Sequence, residues 1–218
     1  MLGRLFQRSE TSVEQGAKRQ PISGKRIARH SSGWGRTMIR LKEQDGLRVL
    51  DIGPTSPSNI NFLTSLGHSV FMADLVEESV QPEWIKKSSD GSPDTFNVEG
   101  FIEKHMNFGH RMFDAILLWD TLDYLPEPLV QGVLHRLHAS MENEGQILAL
   151  FHARATGQET AFCRYHLTDG ENLEMQEYAP YPLLRVYQNR AIEKLFAEFS
   201  SCRFFLAKDN LCEVVVTR

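Results

Sequence analysis

The chain has 218 residues, of which 41% are apolar and 24% charged, a balance that suits a globular domain large enough for a full core. No run approaches the ~18 apolar residues of a membrane-spanning helix. The opening Met1 to Arg8 is broken by arginines and has no signal-peptide core, and the three cysteines, Cys163, Cys202 and Cys212, lack metal-type spacing. Together these features predict a cytoplasmic protein with free thiols and argue against a disulfide scaffold.

The net charge of −4 hides an asymmetry, since residues 1–42 hold ten Lys or Arg against two acids, Glu10 and Glu14. A basic arm on an acidic body can meet nucleic acid, a membrane surface or the body itself. Gly16, Pro21 and Gly24 interrupt any long helix there. Residues 1–33 therefore read as a basic, partly disordered arm, and residues 34–218 as the folded domain. A short helix is predicted over 34–43 with Met38, Ile39 and Leu41 turned inward. Trp34 either anchors its packing or, with Arg36, covers a ligand at the strand that follows.

That strand is Arg48 to Ile52, apolar enough to be buried on both faces. Gly53 breaks it. Ser56 is placed to cap a helix whose first residue is Pro57 and whose apolar series is Ile60, Leu63 and Leu66. Gly67 suits the C′ position of that helix. The strand–turn–helix aims backbone N–H groups at whatever sits above the strand end. The next strand, Ser69 to Asp74, ends in an acid placed to take both hydroxyls of a ribose. The pair reads as a nucleotide-type cofactor site.

Thr95 to Val98 is predicted as a short third strand and Phe101 to Phe108 as a short helix. Met112 to Trp119 is a continuous apolar run, as a central parallel strand requires. Asp120, Thr121, Asp123 and Tyr124 follow at its C-terminal end. Pro126 and Pro128 open a helix carrying Leu129, Val130, Val133, Leu134 and Leu137 at helical spacing. Gln146 to Phe151 is a fifth strand. Phe162–Leu167 and Leu173–Tyr178 flank Asp169-Gly170 as an inserted hairpin over about 160–178. A helix over Gln188 to Phe199 precedes two strands, Arg203–Ala207 and Cys212–Val216. Their link is too short for a crossover, so they are antiparallel. The sum is an α/β, doubly wound, mostly parallel sheet, whose ligands bind beyond the C-terminal strand ends. Asp51 to Asn59, Asp74 and Trp119 to Tyr124 all fall on that edge.

At this point the sequence resembles the class I S-adenosylmethionine-dependent methyltransferases. Val49-Leu-Asp-Ile-Gly53 is similar to their first motif and Val70-Phe-Met-Ala-Asp74 to their second. Phe113 to Leu125 is similar to the fourth strand with its loop, and Glu144 to Leu150 to the entry of the fifth. The resemblance covers roughly residues 34–218. It implies a Rossmann-like sheet of seven strands in the order 3-2-1-4-5-7-6, the seventh antiparallel. It implies S-adenosylmethionine as cofactor, with S-adenosylhomocysteine as product. The implied cofactor contacts are Asp51, Gly53, Pro54, Thr55, Asn59, Asp74, Leu75, Glu99, Trp119 and Asp120, with Asp74 on the ribose and Asn97 or Glu99 near the adenine. Asp120, Asp123 and Tyr124 are the candidates to face the acceptor.

The first loop departs from the family pattern. Thr55 stands where a second glycine is usual, and prolines occupy 54 and 57. Pro54 removes a backbone N–H. Thr55 and Ser56 either replace lost backbone contacts with hydroxyls or narrow the site. A methyltransferase acting on a small-molecule acceptor is the leading expectation. A catalytically silent binding or scaffold protein on the same fold is the alternative. A nicotinamide-dependent oxidoreductase is disfavoured by the missing Gly-x-Gly-x-x-Gly and by the terminal hairpin. A nucleic-acid methyltransferase is disfavoured because Asp120-Thr-Leu-Asp stands where an Asn/Asp-Pro-Pro-Tyr motif would, though the basic arm leaves nucleic acid open. No metal site is expected. The inserted hairpin, through Phe162, Tyr165, His166, Tyr178 and Tyr181, and the segment Trp34–Arg40 are expected to roof the acceptor pocket. Deleting 160–178 is then expected to spare fold and cofactor binding.

Overall fold

The computed structural model describes residues 24–89, 91–154, 161–205 and 209–218. In chain order they form β1 (Ile27–His30), α1 (Ser32–Glu43), β2 (Arg48–Ile52), α2 (Pro57–Ser65), β3 (Ser69–Ala73) and α3 (Leu75–Ser79). A 3-10 turn (Pro82–Trp84), β4 (Ile85–Lys86), β5 (Thr95–Phe96), α4 (Val98–His105), β6 (Phe113–Trp119), α5 (Thr121–Tyr124) and α6 (Glu127–Ala139) follow. The chain closes with β7 (Met141–His152), β8 (Phe162–Leu167), β9 (Asn172–Ala179), α7 (Asn189–Leu195), β10 (Ser201–Phe205) and β11 (Leu211–Thr217).

The main sheet has six strands in the order β10-β11-β7-β6-β2-β3. β3, β2, β6 and β7 run parallel, and β11 is antiparallel to both β7 and β10. This is the expected doubly wound sheet with its reversed strand, less one edge. The segment expected as a third strand, Thr95–Phe96, pairs instead with Ile85–Lys86 as a separate two-stranded ribbon. Two residues are too few for a sheet edge, and the chain turns at once into α4, which Asn97 caps through Gly100 N at 3.3 Å.

Alternation along the strands splits the core into two layers. Leu50, Ile52, Ile116, Leu118, Ile147 and Phe151 face α4, α6 and α7. Val49, Ala115, Leu117, Leu148 and Leu150 face α1, α2 and a second sheet. That second sheet has the order β1-β9-β8. The predicted hairpin thus exists, β8 against β9, and gains a third strand, with Ile27 opposite Met175. Residues 27–30 are therefore part of the fold and not of a loose arm, while residues 1–23 lie outside the described residues. α1 starts at Ser32, whose preceding Ser31 side chain accepts the Trp34 N–H. Trp34 is fully buried and donates its indole N–H to Thr168 O at 3.1 Å, so it is a packing anchor. Ile39, expected inside, is exposed at 48%, because α1 turns Trp34, Met38 and Leu41 to the core and Ile39 falls on the opposite side.

The local caps follow their sequence signals. Ser56 Oγ accepts the Asn59 N–H and Pro57 opens α2. Gly67 sits just past that helix at φ +86°, where a side chain would be strained.

Candidate functional site

The C-terminal ends of β3, β2, β6 and β7 line one edge of the main sheet, and β8 and β9 lie over it. The site is built in two halves.

Asp51 anchors the first half. It is buried next to last in β2, and both carboxylate oxygens have partners. Asn59 Nδ2 donates to Oδ2 at 2.9 Å, and Trp119 Nε1 donates to Oδ1 at 2.6 Å. Burial pushes the carboxyl up to about 6, opposed by these two hydrogen bonds. Asn59 also binds the hairpin, donating to Tyr165 O at 3.0 Å and accepting the Leu167 N–H at 2.8 Å. Trp119 ends β6 at φ +48°, an uncommon conformation for a bulky residue. It is held there by the Asp51 hydrogen bond and by Tyr165, whose ring stacks on it at 4.8 Å and 7°. Its indole lies over Gly53, where a Cβ would stand 3.1 Å from Trp119 Cδ1. That close approach is why position 53 suits glycine. Ser56 and Ser58 both meet His166 Nδ1 at 2.9 Å, which fastens the α2 N-terminus to β8. Pro54 is buried and Thr55 is exposed.

Asp74 stands beside this half. It caps α3, accepting the Glu77 N–H at 3.2 Å, and it is only partly buried. Desolvation lifts it to about 6, with the Glu77 amide opposing. Tyr178 lies nearby, its hydroxyl donating to Glu77 Oε2 at 3.4 Å and its ring under the Arg164 guanidinium at 4.7 Å. Leu75 is buried as the first residue of α3. Asn97 is spent on its cap, and Glu99 is exposed in the first turn of α4.

The second half is built on Asp120. It is 1% exposed; Oδ2 accepts the Tyr165 hydroxyl at 3.1 Å, and Oδ1 has no hydrogen-bond partner among the described residues. Burial pushes this carboxyl up to about 7, with the Asp123 charge adding to the shift and His152 opposing it. Asp123 Oδ2 accepts both the backbone N–H of His152 at 2.6 Å and its ring Nδ1–H at 2.8 Å. Asp123 Oδ1 is buried without a partner among the described residues. Burial works against a charged His152 ring, but the Asp123 hydrogen bond and the Asp120 and Asp123 charges outweigh it and raise its pKa. A cavity of about 300 Å³ opens here, lined by Asp120 and His152 with Ala161, Cys163, Met175 and Leu211, and bounded by Asp209 and Asn210. Asp209 is paired with Arg29 of β1 at 2.6 Å, and Arg29 also binds Glu213.

The structure brings Asp51, Gly53, Asn59, Trp119 and Asp120 together through Tyr165, with Asp123 one turn beyond. Tyr124 is buried against His152 and Phe162, its rings edge-to-face with both. The roof differs from expectation. Ala161, Cys163 and Met175 of the hairpin segment line the cavity. The expected aromatics do not, because Phe162 and Tyr181 pack into the core and Tyr165 is taken by Trp119. The Trp34–Arg40 segment contributes no lining residue, since it lies along the sheet face. Phe162, Tyr165 and Leu173 are core residues, so deleting 160–178 is expected to remove part of the core and to cost the fold, against the sequence expectation. His152 was missed by sequence reasoning. Its signal was a polar residue ending an apolar strand on the same edge as Asp120.

A family model described as a methyltransferase domain matches residues 26–199. No curated protein matches the sequence. Among solved structures, the PH0226 protein from Pyrococcus horikoshii is 9% identical with a TM-score of 0.50, over 85% of this chain and 88% of that one. A TehB-like SAM-dependent methyltransferase from Corynebacterium glutamicum is 13% identical with a TM-score of 0.47, over 85% and 87%. The 1,6-didemethyltoxoflavin-N1-methyltransferase of Burkholderia thailandensis, bound to 1,6-didemethyltoxoflavin and S-adenosylhomocysteine, is 15% identical with a TM-score of 0.44, over 86% and 79%.

Proposed function

Because this chain belongs to the class I S-adenosylmethionine-dependent methyltransferases, we propose that it methylates a small organic acceptor held in the cavity beside Asp120 and His152. S-adenosylmethionine is the cofactor, and it supplies an electrophilic methyl group on a sulfonium. The observation that carries the reading is the pairing of two features on one strand edge: the partly exposed Asp74 at the end of β3, and the open cavity past the end of β6. The residues fit the cofactor at Asp74, whose carboxylate keeps acceptor capacity beyond its cap bonds to the first-turn amides of α3. Leu75 follows Asp74 as the first residue of α3, and the Gly53 N–H bonds Ala73 O just before it. Asp51 acts indirectly, since its oxygens are committed to Asn59 and Trp119 and serve to hold the turn and the indole. Glu99 remains a candidate for the adenine end by its place at the start of α4.

In this reading the chain's own residues chiefly position. Displacement at a methyl carbon needs alignment, and a base only if the acceptor must lose a proton. A cavity of about 300 Å³ with apolar walls and few polar groups has the size and character of a small-molecule site, not of a groove for a polyanion. The described residues contain no helix long and apolar enough to cross a membrane. The three thiols are unpaired, which suits a reducing compartment such as the cytoplasm. Titration calorimetry with S-adenosylhomocysteine tests the reading. Wild type is expected to bind, and an absence of binding at millimolar ligand overturns it.

A further inference from the structure

We propose that His152, oriented by Asp123, is the base that takes a proton from the acceptor, and that the acceptor is a small neutral molecule carrying an acidic hydroxyl of the phenol or enol type. The inference rests on the methyltransferase reading for its destination but on separate observations for its chemistry.

The geometry is that of a directed imidazole. His152 Nδ1 donates to Asp123 Oδ2, and the backbone N–H of His152 binds the same oxygen, so one carboxylate fixes both tautomer and ring position. The lone pair is thereby left on Nε2, the ring nitrogen without a hydrogen bond among the described residues, in a residue that lines the cavity. Tyr124 buttresses the ring edge-on at 5.8 Å. Beside it, Asp120 Oδ1 is buried and unpartnered while its other oxygen is held by Tyr165. A buried carboxyl oxygen with no partner calls for one, and a ligand hydroxyl supplies it, accepting from Asp120 while the acid keeps its proton and donating to it once it ionises. Asp120 thus orients the hydroxyl while Nε2 receives its proton.

The walls select the rest of the ligand. Ala161, Cys163, Met175 and Leu211 are apolar or nearly so, which suits a ring or short hydrocarbon body. Asp120, Asp123 and Asp209 make the surroundings acidic, with Asp209 neutralised by Arg29. A pre-formed anion is disfavoured there, so the acceptor enters neutral and loses its proton inside. In the step itself the O–H bond breaks and an N–H bond forms on Nε2. The oxygen keeps the electron pair, which it would give to the methyl carbon of bound S-adenosylmethionine as that carbon's bond to sulfur breaks and S-adenosylhomocysteine leaves, and the imidazolium holds the positive charge between two carboxyl groups.

4-Nitrophenol is the probe, because its phenolate absorbs where its phenol does not. At a pH below the dye's own pKa, titrating it into wild-type protein is expected to produce the phenolate band, which an acidic cavity cannot favour without a proton acceptor. His152→Gln is expected to abolish the band, Asp123→Asn to weaken it, and Asp120→Asn to weaken dye binding while the bound dye still ionises. S-adenosylhomocysteine affinity, measured on the same samples, is expected to be unchanged in His152→Gln. Absence of the band in wild type, its persistence in His152→Gln, or its loss only in Asp120→Asn overturns the proposal. If the cofactor product binds but the band fails, the base assignment falls alone. If the band forms without cofactor binding, the base stands and the methyltransferase reading falls.

Discussion

Asp51 and Asp120 stand at the ends of adjacent strands, each 1% exposed, and the fold treats them oppositely. Asp51 has a donor on each oxygen, and one of those donors, Trp119, is itself stacked on Tyr165. Asp120 has one oxygen satisfied and one buried without a partner among the described residues, in a residue that lines the cavity. The same residue type with the same burial therefore does two jobs. A fully bonded carboxylate is a fastener, and its cost of burial is offset by its partners. A half-bonded one is a site waiting for a partner, and burial with the nearby Asp123 charge pushes its carboxyl up to about 7. Tyr165 joins the two halves, stacking on the indole of one and donating to the carboxylate of the other.

The largest expected effect comes from breaking the fastened half. Trp119→Ala removes a buried indole, its hydrogen bond to Asp51 and its stack on Tyr165. Urea unfolding is expected to show a loss of about 3–5 kcal/mol, the scale for a large aromatic removed from a core. Relief at φ +48° is small against that, because alanine is still disfavoured there. A loss below about 1 kcal/mol would mean that the indole is a loosely held flap and that the two halves do not differ as argued.

Next comes Asp74, outside both halves. Asp74→Ala is expected to weaken S-adenosylhomocysteine binding by about 1.5–3 kcal/mol, the scale for hydrogen bonds to a charged group. Because burial holds this acid near 6, affinity is also expected to fall as pH drops through that value and the acid becomes neutral. Equal affinity at pH 5 and pH 8, measured by calorimetry, would remove Asp74 from the ribose role.

Most of the fold was legible, and the reason is local. Arg48–Ile52 and Phe113–Trp119 are apolar runs that only a buried strand accommodates, and Ser56-Pro57 and Gly67 mark the ends of α2 by their own backbone chemistry. Ile27–His30 was not legible as a strand. It shows no alternation and joins β9 through backbone pairing, which leaves little trace in side chains. Of the site, Asp51, Gly53, Asp74 and Asp120 were visible because each ends a strand or follows its end. Which oxygen lacks a partner was not visible, since it depends on Tyr165 and His152 arriving from distant parts of the chain.

The open half gives a smaller stability signature than the loss of Trp119. Asp120 in the folded protein keeps its proton to about pH 7, whereas in the unfolded chain it ionises near the ordinary value of ~3.9. Between those values the folded state binds the extra proton, so this group's contribution to stability falls as pH rises and levels off above about 7. Asp120→Asn removes that slope. Relative to wild type, the variant is expected to gain about 2.5 kcal/mol on going from pH 5 to pH 8. Asp51 and Asp74 add slopes of the same sign and remain, so the wild-type decline is reduced and not abolished. Parallel decline in both proteins would show that Asp120 ionises at its ordinary value in the folded state and is not a poorly satisfied group.

The smallest effect is expected at the rim of the fastened half, at Thr55. The family pattern puts glycine there, and a side chain at that position either supplies a hydroxyl to the cofactor or obstructs it. The structure places Thr55 on the exposed side of a turn whose interior is taken by Pro54, Gly53 and the Trp119 indole. A side chain pointing to solvent does neither. Thr55→Gly is therefore expected to change S-adenosylhomocysteine affinity by less than about 0.5 kcal/mol, the scale of a surface substitution away from any special contact. Stability is expected to fall slightly, by up to about 1 kcal/mol, because glycine gives the unfolded chain more freedom to lose. The two readouts separate the possibilities. A clear gain in affinity would mean that Thr55 blocks the turn, and a clear loss would mean that its hydroxyl reaches the cofactor. In either case the turn would be part of the ligand surface, and the closed character assigned to the Asp51 half would have to be given up.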